Sequence, residues 1–290
     1  MQEKNGEFLL LFTKQQVRLK NGWLHLPRQL LTIKIQITQP LKGARILPQG
    51  AGYLLEILYE QPPTPLKPNQ NRIASIDLGL NNLITMVTNI GEEPIVMNGK
   101  SLKVLNQFFN KQKASLQSIY DKRGITNGKK QRILSQKRKR QLTDYFHKAS
   151  RYVINYCRHR TIDTLVVGYN PEWKQKIHIG KRNNQNFVSV PFFPLLKQFE
   201  YKCQDAGIHF MLIDESYTPK CSFLDRESIQ KHQKYKGRRI KRGLFQTQNG
   251  TLINAGVNAA YNIMIKVVPN AFAEGIAGVG LHPKRIDLFV

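Results

Sequence analysis

The fold is set by the stretch RIASIDLGLNNLITMVT (residues 72–88). Two apolar β-runs, Arg72 to Asp77 and Leu83 to Thr88, are joined by Gly79-Leu-Asn-Asn82, and a third run, Pro94 to Met97, follows Asn89-Ile-Gly91. Turn-forming residues at this spacing predict a three-stranded meander. Toward the C-terminus, Leu102, Leu105, Phe108, Phe109, Leu116, Ile119 and Tyr120 recur at helical spacing. After Gly124-Ile-Thr-Asn-Gly128, a second helical run continues through Ile133, Leu134, Leu142, Tyr145, Phe146, Tyr152 and Tyr156. A buried strand from Thr164 to Tyr169, a helix from about Pro191 to Ala206, a strand from His209 to Ile213 and a helix from about Ala255 to Lys266 follow.

A meander followed by alternating helices and strands is the pattern of a ribonuclease-H-like α/β domain, although other α/β folds share it. On the N-terminal side, Phe8 to Phe12, Leu31 to Ile37 and Tyr53 to Tyr59 read as short strands, punctuated by Asn21-Gly22 and Gly50-Ala51-Gly52. These predict part of a small β-barrel over residues 1–61. The segment Gln61-Pro-Pro-Thr-Pro-Leu-Lys-Pro68 is too rich in proline to continue a helix or a central strand, so residues 62–71 read as a linker.

Charge narrows the function. The chain of 290 residues holds 45 Lys and Arg against 19 Asp and Glu, a formal net charge of +26. Such an excess repels itself in a compact state unless a polyanion is a regular partner, so nucleic acid leads and an anionic membrane surface follows. No window approaches eighteen uninterrupted apolar residues, which argues against a membrane span. The start, MQEKNGEFLLLFTKQQ, lacks the apolar core and cleavage site of a signal peptide, and the chain reads as cytoplasmic. Three cysteines, Cys157, Cys203 and Cys221, are an odd count without paired spacing, so neither a disulfide framework nor a C-x-x-C zinc ribbon follows from them.

The charge is also localised. Between Lys100 and Arg160 lie seventeen Lys or Arg and two acids, Asp121 and Asp144, with the densest run at Lys137-Arg138-Lys139-Arg140. Because apolar residues keep helical spacing there, the cations occupy the remaining faces and form a basic wall suited to a phosphate backbone. A charged face that is merely solvated ordinarily mixes both signs. Two further basic segments stand out: the loop carrying Lys174, Lys176, Lys181 and Arg182, with Trp173 among its amides, and the run containing Arg238, Arg239, Lys241 and Arg242.

One carboxylate draws attention. Asp77 ends an apolar strand and is followed two residues later by Gly79. Two-metal nuclease chemistry needs such an acid, with other carboxylates from different elements. Asp-x-Gly equally marks a plain hairpin turn.

Five ordered blocks together carry a family resemblance: IDLGLNN (76–82), VVGYNPEWKQ (166–175), NNQNF (183–187), ESYTPK (215–220) and NAGVNAAYNI (254–263). In order and spacing they resemble the OrfB/TnpB proteins of bacterial insertion sequences. The resemblance implies a RuvC-like nuclease domain of ribonuclease-H fold over residues 72–268, with the helical pair 101–160 and the basic loop 219–253 inserted in it. It further implies a wedge-like partial barrel before that domain and a C-terminal tail over 269–290. Such proteins use a guide RNA to find DNA and cut it, and are related to type V CRISPR effectors. Guide RNA and DNA are therefore the implied partners, and Mg²⁺ the implied cofactor of an active member.

In the family the catalytic acids are an Asp on the first strand, a Glu at the end of the fourth and an Asp at the start of the last helix. Asp77 matches the first. Gly168 and Gly256 stand at the other two positions, and glycine offers no side-chain ligand. Glu215 is the natural substitute for the glutamate, so Asp77 and Glu215 are the candidate catalytic and metal-binding residues. No Asp or Glu occurs from Asn249 to Ala273 to replace the last acid. The expected function is RNA-guided DNA binding with impaired cleavage; an active endonuclease using Asp77 and Glu215, or a decayed transposon frame, are the alternatives. The family's zinc ribbon is not expected here, because Cys221 and His232 cannot complete four ligands. Nothing in the sequence speaks to oligomeric state.

Overall fold

A computed structural model describes residues 8–126, 128–170, 190–272, 275 and 280–288. The chain is mixed α/β and divides into two compact units, Met1–Pro63 with Phe109–Arg140, and Thr64–Phe108 with Gln141–Val290. No helix among the described residues is long and apolar enough to cross a membrane.

The first unit holds two three-stranded sheets. In one, β1 (Leu10–Thr13) and β6 (Gly52–Tyr59) flank β5 (Leu41–Gln49), all antiparallel. In the other, β3 (Trp23–His25) lies between β2 (Arg18–Lys20) and β4 (Thr32–Lys34). Val17, Leu24, Leu26 and Ala44 form its small core. The nine-residue β5 is invisible to a hydrophobic-pattern reading, because Gly43 and Pro48 interrupt it. Its pairing explains the glycine: a Cβ at Gly43 would stand 2.6 Å from the carbonyl oxygen of Phe12 on β1. The run expected from Leu31 to Ile37 is correspondingly shorter, with only Thr32–Lys34 paired.

The second unit is built on a six-stranded sheet of order β11-β10-β7-β8-β9-β15. Its meander, β7 (Ile73–Leu78), β8 (Asn82–Thr88) and β9 (Ile95–Asn98), is antiparallel as the sequence predicts. Beyond it, β10 (Thr164–Gly168) pairs parallel with β7, and β11 (His209–Ile213) parallel with β10. Alternation divides each strand between two layers. Ala74, Ile76 and Leu78 of β7, with Leu165 and Val167 of β10, face the core shared with α1 (Lys100–Asp121), α2 (Lys129–His159) and α3 (Phe192–Asp205). Leu142, Tyr145, Phe146, Ala149, Val153 and Cys157 supply the stripe of α2. Ile73, Val87 and Val166 face the opposite core, against α4 (Ala255–Val267).

Two segments are more regular than expected. The basic segment 219–253 is not a loop throughout: β12 (Arg238–Lys241), β13 (Leu244–Gln246) and β14 (Leu252–Asn254) form an antiparallel sheet. The tail 269–290 contributes β15 (Lys284–Ile286), which extends the main sheet parallel to β9. Strands of three or four residues carry almost no periodicity, and the partner of β15 lies nearly 190 residues away in sequence. The proline-rich segment is likewise tied down within the second unit, where Lys67 N donates to Gly207 O (2.7 Å) and Thr64 Oγ1 to Asp205 O (3.2 Å).

Candidate functional site

Asp77 occupies the α4-facing side of β7, two residues beyond Ser75, whose hydroxyl donates to the Ala260 carbonyl of α4 (2.7 Å). Register places Asp77 opposite Thr85 of β8. Gly168 ends the neighbouring β10, one step beyond the Val167–Ile76 pair, so it lies alongside Asp77. Strand alternation thus brings Gly168, Asp77 and Thr85 to one face, under the start of α4.

That start is well defined. The Asn254 side chain caps α4, accepting from Gly256 N (3.0 Å) and Val257 N (3.2 Å). Because β14 runs directly into α4, the β13–β14 hairpin swings the turn at Arg242-Gly243 onto the helix end, where Ala255 N donates to Gly243 O (3.0 Å). The result is an open cleft of about 560 Å³ whose wall includes Asp77, Asn82, Thr85, Lys100, Arg239 and Arg242. Asp77 is half-buried there. Burial pushes its carboxyl up to about 7, opposed by the attraction of Arg239.

The two glycines are filled positions. A Cβ at Gly256 would stand 2.6 Å from Thr85 Oγ1 and 3.2 Å from Thr85 Cβ. A Cβ at Gly168 would overlap the Ile263 side chain of α4 and lie 3.3 Å from Glu215 Cβ. A side chain at either position would press on that neighbour.

Glu215 is buried and follows β11; its carbonyl accepts from Thr218 N (3.1 Å) and Thr218 Oγ1 (2.8 Å). It stands beside Gly168 but not in the wall of the Asp77 cleft. No group of three His, Cys, Asp or Glu able to hold a metal occurs among the described residues. Asp77 is the only carboxylate among the described residues lining the cleft, and the charged side chains around it are cations. This donor set does not fit a pair of divalent ions, which need several carboxylates at close range.

The basic candidates distribute unevenly. Arg239 and Arg242 line the cleft, whereas Arg238 and Lys241 are exposed on the same β12. Lys137, Lys139 and Arg140 are exposed on α2, and Arg138 lies over the Phe109 ring (4.8 Å). Lys139 also lines a separate cleft of about 580 Å³ within the first unit, with Lys113, Gln117, Gln131, Arg132 and Gln136. Lys174, Lys176, Lys181 and Arg182 lie outside the described residues. Sequence reading missed Lys100 and Thr85 as neighbours of Asp77. Thr85 had a faint signal in the hairpin register, and Lys100 had none beyond its place in a basic run.

The segment expected to lack zinc is held by its own side chains. Glu227, buried, accepts from Ser222 N (2.8 Å) and Lys236 N (2.9 Å). Cys221 Sγ donates to Ser228 O (3.4 Å), and His232 Nε2 lies 2.8 Å from the same oxygen. Asn258 and Asn262 of α4 donate to Cys221 O at 2.9 and 2.7 Å, fixing the segment to the helix.

The OrfB_IS605 family model, described as a probable transposase, matches residues 56–174. A model described as Cas12f1-like, TNB domain matches residues 192–263. A TnpB-like protein, ORF457 of Acidianus two-tailed virus, is 25% identical over 277 residues, covering 91% of this chain and 53% of that protein. The chain is similar to OrfB/TnpB proteins. The chain spans about half the length of this viral relative. Similar solved structures include a Cas12f1–sgRNA–target DNA complex (16% identity, TM-score 0.48, covering 91% of this chain and 68% of that one). A CRISPR–Cas12f ternary complex is similar at 14% identity and TM-score 0.48, covering 78% of this chain and 46% of that one.

Proposed function

We propose that the protein is a transposon-associated, RNA-guided DNA-binding protein whose RuvC-type cleavage is impaired, and that its six-stranded sheet is a ribonuclease-H-like core. The observation that carries this reading is the occupancy of both missing acid positions: Thr85 fills the space at Gly256, and Ile263 the space at Gly168. Net charge of +26 supports binding to a polyanion, and similarity to the OrfB/TnpB proteins supports guide RNA and DNA as that polyanion. In guided recognition, base pairing specifies sequence while the protein supplies a basic channel and any short flanking-motif readout.

The test is to purify the protein from its native locus, sequence the RNA that accompanies it, and challenge the complex with a matched DNA target in Mg²⁺. A defined transcript from that locus, with target binding and no cutting, is the expected result. Bulk cellular RNA alone would refute guided binding. Cutting that Asp77→Ala abolishes would instead establish the second reading, an active endonuclease, which the closeness of Glu215 Cβ to Gly168 favours.

A further inference from the structure

Around Asp77 the charge balance is inverted relative to a metal site. Lys100 begins α1, Arg239 belongs to β12, and Arg242 lies in the turn after it; three separate elements bring three cations to one cleft that holds a single carboxylate among the described residues. None of the three takes part in a salt bridge among the described residues. Lys103 lies near them. Its ammonium is pushed below the ordinary lysine range, first by burial and then by the repulsion of Arg242 and Lys100. Like charges converging in a concave site, rather than spreading over a convex surface, are uncompensated until an anion enters.

We infer that the cleft beside Asp77 is a metal-independent phosphodiester pocket, in which Lys100, Arg239 and Arg242 hold the backbone of a single-stranded nucleic acid. Two guanidinium forks and an ammonium suit phosphate oxygens, since Arg presents paired donors and Lys a mobile point charge. The cations supply the positive charge that divalent ions would otherwise bring to a phosphate. Thr85, filling the space at Gly256, closes the floor beneath them. Asp77 then acts against the ligand, so its charge weakens binding instead of anchoring an ion. The pocket would grip a strand without cutting it. This inference rests on the nucleic-acid-binding reading above.

The experiment measures fluorescence anisotropy of labelled single-stranded oligonucleotides, DNA in one arm and RNA in the other, with the full chain in EDTA. Arg239→Gln with Arg242→Gln, both at exposed positions, should weaken binding about tenfold at low salt. The slope of log affinity against log salt should fall by about 1.4, roughly 0.7 for each single-strand phosphate that the variant no longer neutralises. The isosteric Asp77→Asn should strengthen binding in EDTA. Weakening confined to one arm assigns the pocket to DNA or to RNA, and either supports it. If the wild-type chain binds and the double variant matches it in affinity and slope, the pocket is refuted while the wider nucleic-acid reading stands. Binding that requires Mg²⁺ and disappears in Asp77→Asn would also overturn it, by revealing a metal site. Absence of any binding by the wild-type chain would overturn both.

Discussion

Thr85 dictates what residue 256 can be. Restoring an acid with Gly256→Asp places a Cβ 2.6 Å from Thr85 Oγ1, in a strand centre where a β-branched side chain has little freedom. An acid in the first turn of α4 gains about 0.3–1 kcal/mol from the helix dipole, but overpacking costs about 1–3 kcal/mol. The clash wins. Gly256→Asp is therefore expected to lower stability in guanidinium unfolding, and adding Thr85→Ala should return much of the deficit. A second residue-scale prediction concerns Lys202, buried on α3, whose ammonium donates to His147 O (3.1 Å) and Ser150 Oγ (2.6 Å). Burial first, and repulsion by Arg151 second, push it from 10.5 down to about 8. Between those values the unfolded chain holds the extra proton, so this group makes stability rise as pH increases from about 8 towards 10.5. Below about pH 8 both states are protonated and the contribution is flat. Unfolding midpoints measured across pH 8–10 should therefore show the wild type gaining stability relative to Lys202→Met as pH rises. The sequence marks Asp77 as a candidate by its place at a strand end. It cannot show that Thr85 and Ile263 fill the other acid positions, because those contacts join residues more than 90 apart along the chain.

At the element scale, α2 is two helices in one. From Lys129 to Arg140 it is polar around most of its circumference, and from Leu142 to Cys157 it buries an apolar stripe. Replacing Lys137, Lys139 and Arg140 with Gln removes exposed charge and spares the Arg138–Phe109 contact. This variant should keep its melting temperature and bind nucleic acid more weakly, the salt slope falling by about 0.7 for every single-strand phosphate left without its cation. Unchanged affinity would place the binding surface elsewhere. The segment after Cys221 offers a contrasting test. With Glu227 accepting two backbone N–H groups, Glu227→Ala leaves buried donors unpaired and should cost about 1–3 kcal/mol. A chelator should leave the wild-type melting curve unmoved; a fall in melting temperature with EDTA would show a bound metal supporting this segment. The meander and the helices were legible because their apolar periodicity is strong. The sheet from β12 to β14 was not, since strands of three or four residues are too short to show a period and owe their pairing to the turn at Gly243 and to their union with α4.

For the whole molecule, composition and topology carry different information. Composition and block order alone give a strongly basic α/β protein that resembles the OrfB/TnpB proteins, with glycine at positions 168 and 256. Those properties reside in residue identity and in local periodicity, which need no folding to be read. What surrounds Gly168 and Gly256 is a tertiary property. The six-stranded sheet sets Gly168, Asp77 and Thr85 side by side, and α4 brings Ile263 and Gly256 down upon them. The β12–β14 sheet carries Arg239 and Arg242 to a carboxylate more than 160 residues earlier in the chain. Charge sign is a property of each residue, but whether cations disperse into solvent or converge on one cleft depends on contacts distant in sequence. That convergence underlies the anion pocket proposed beside Asp77.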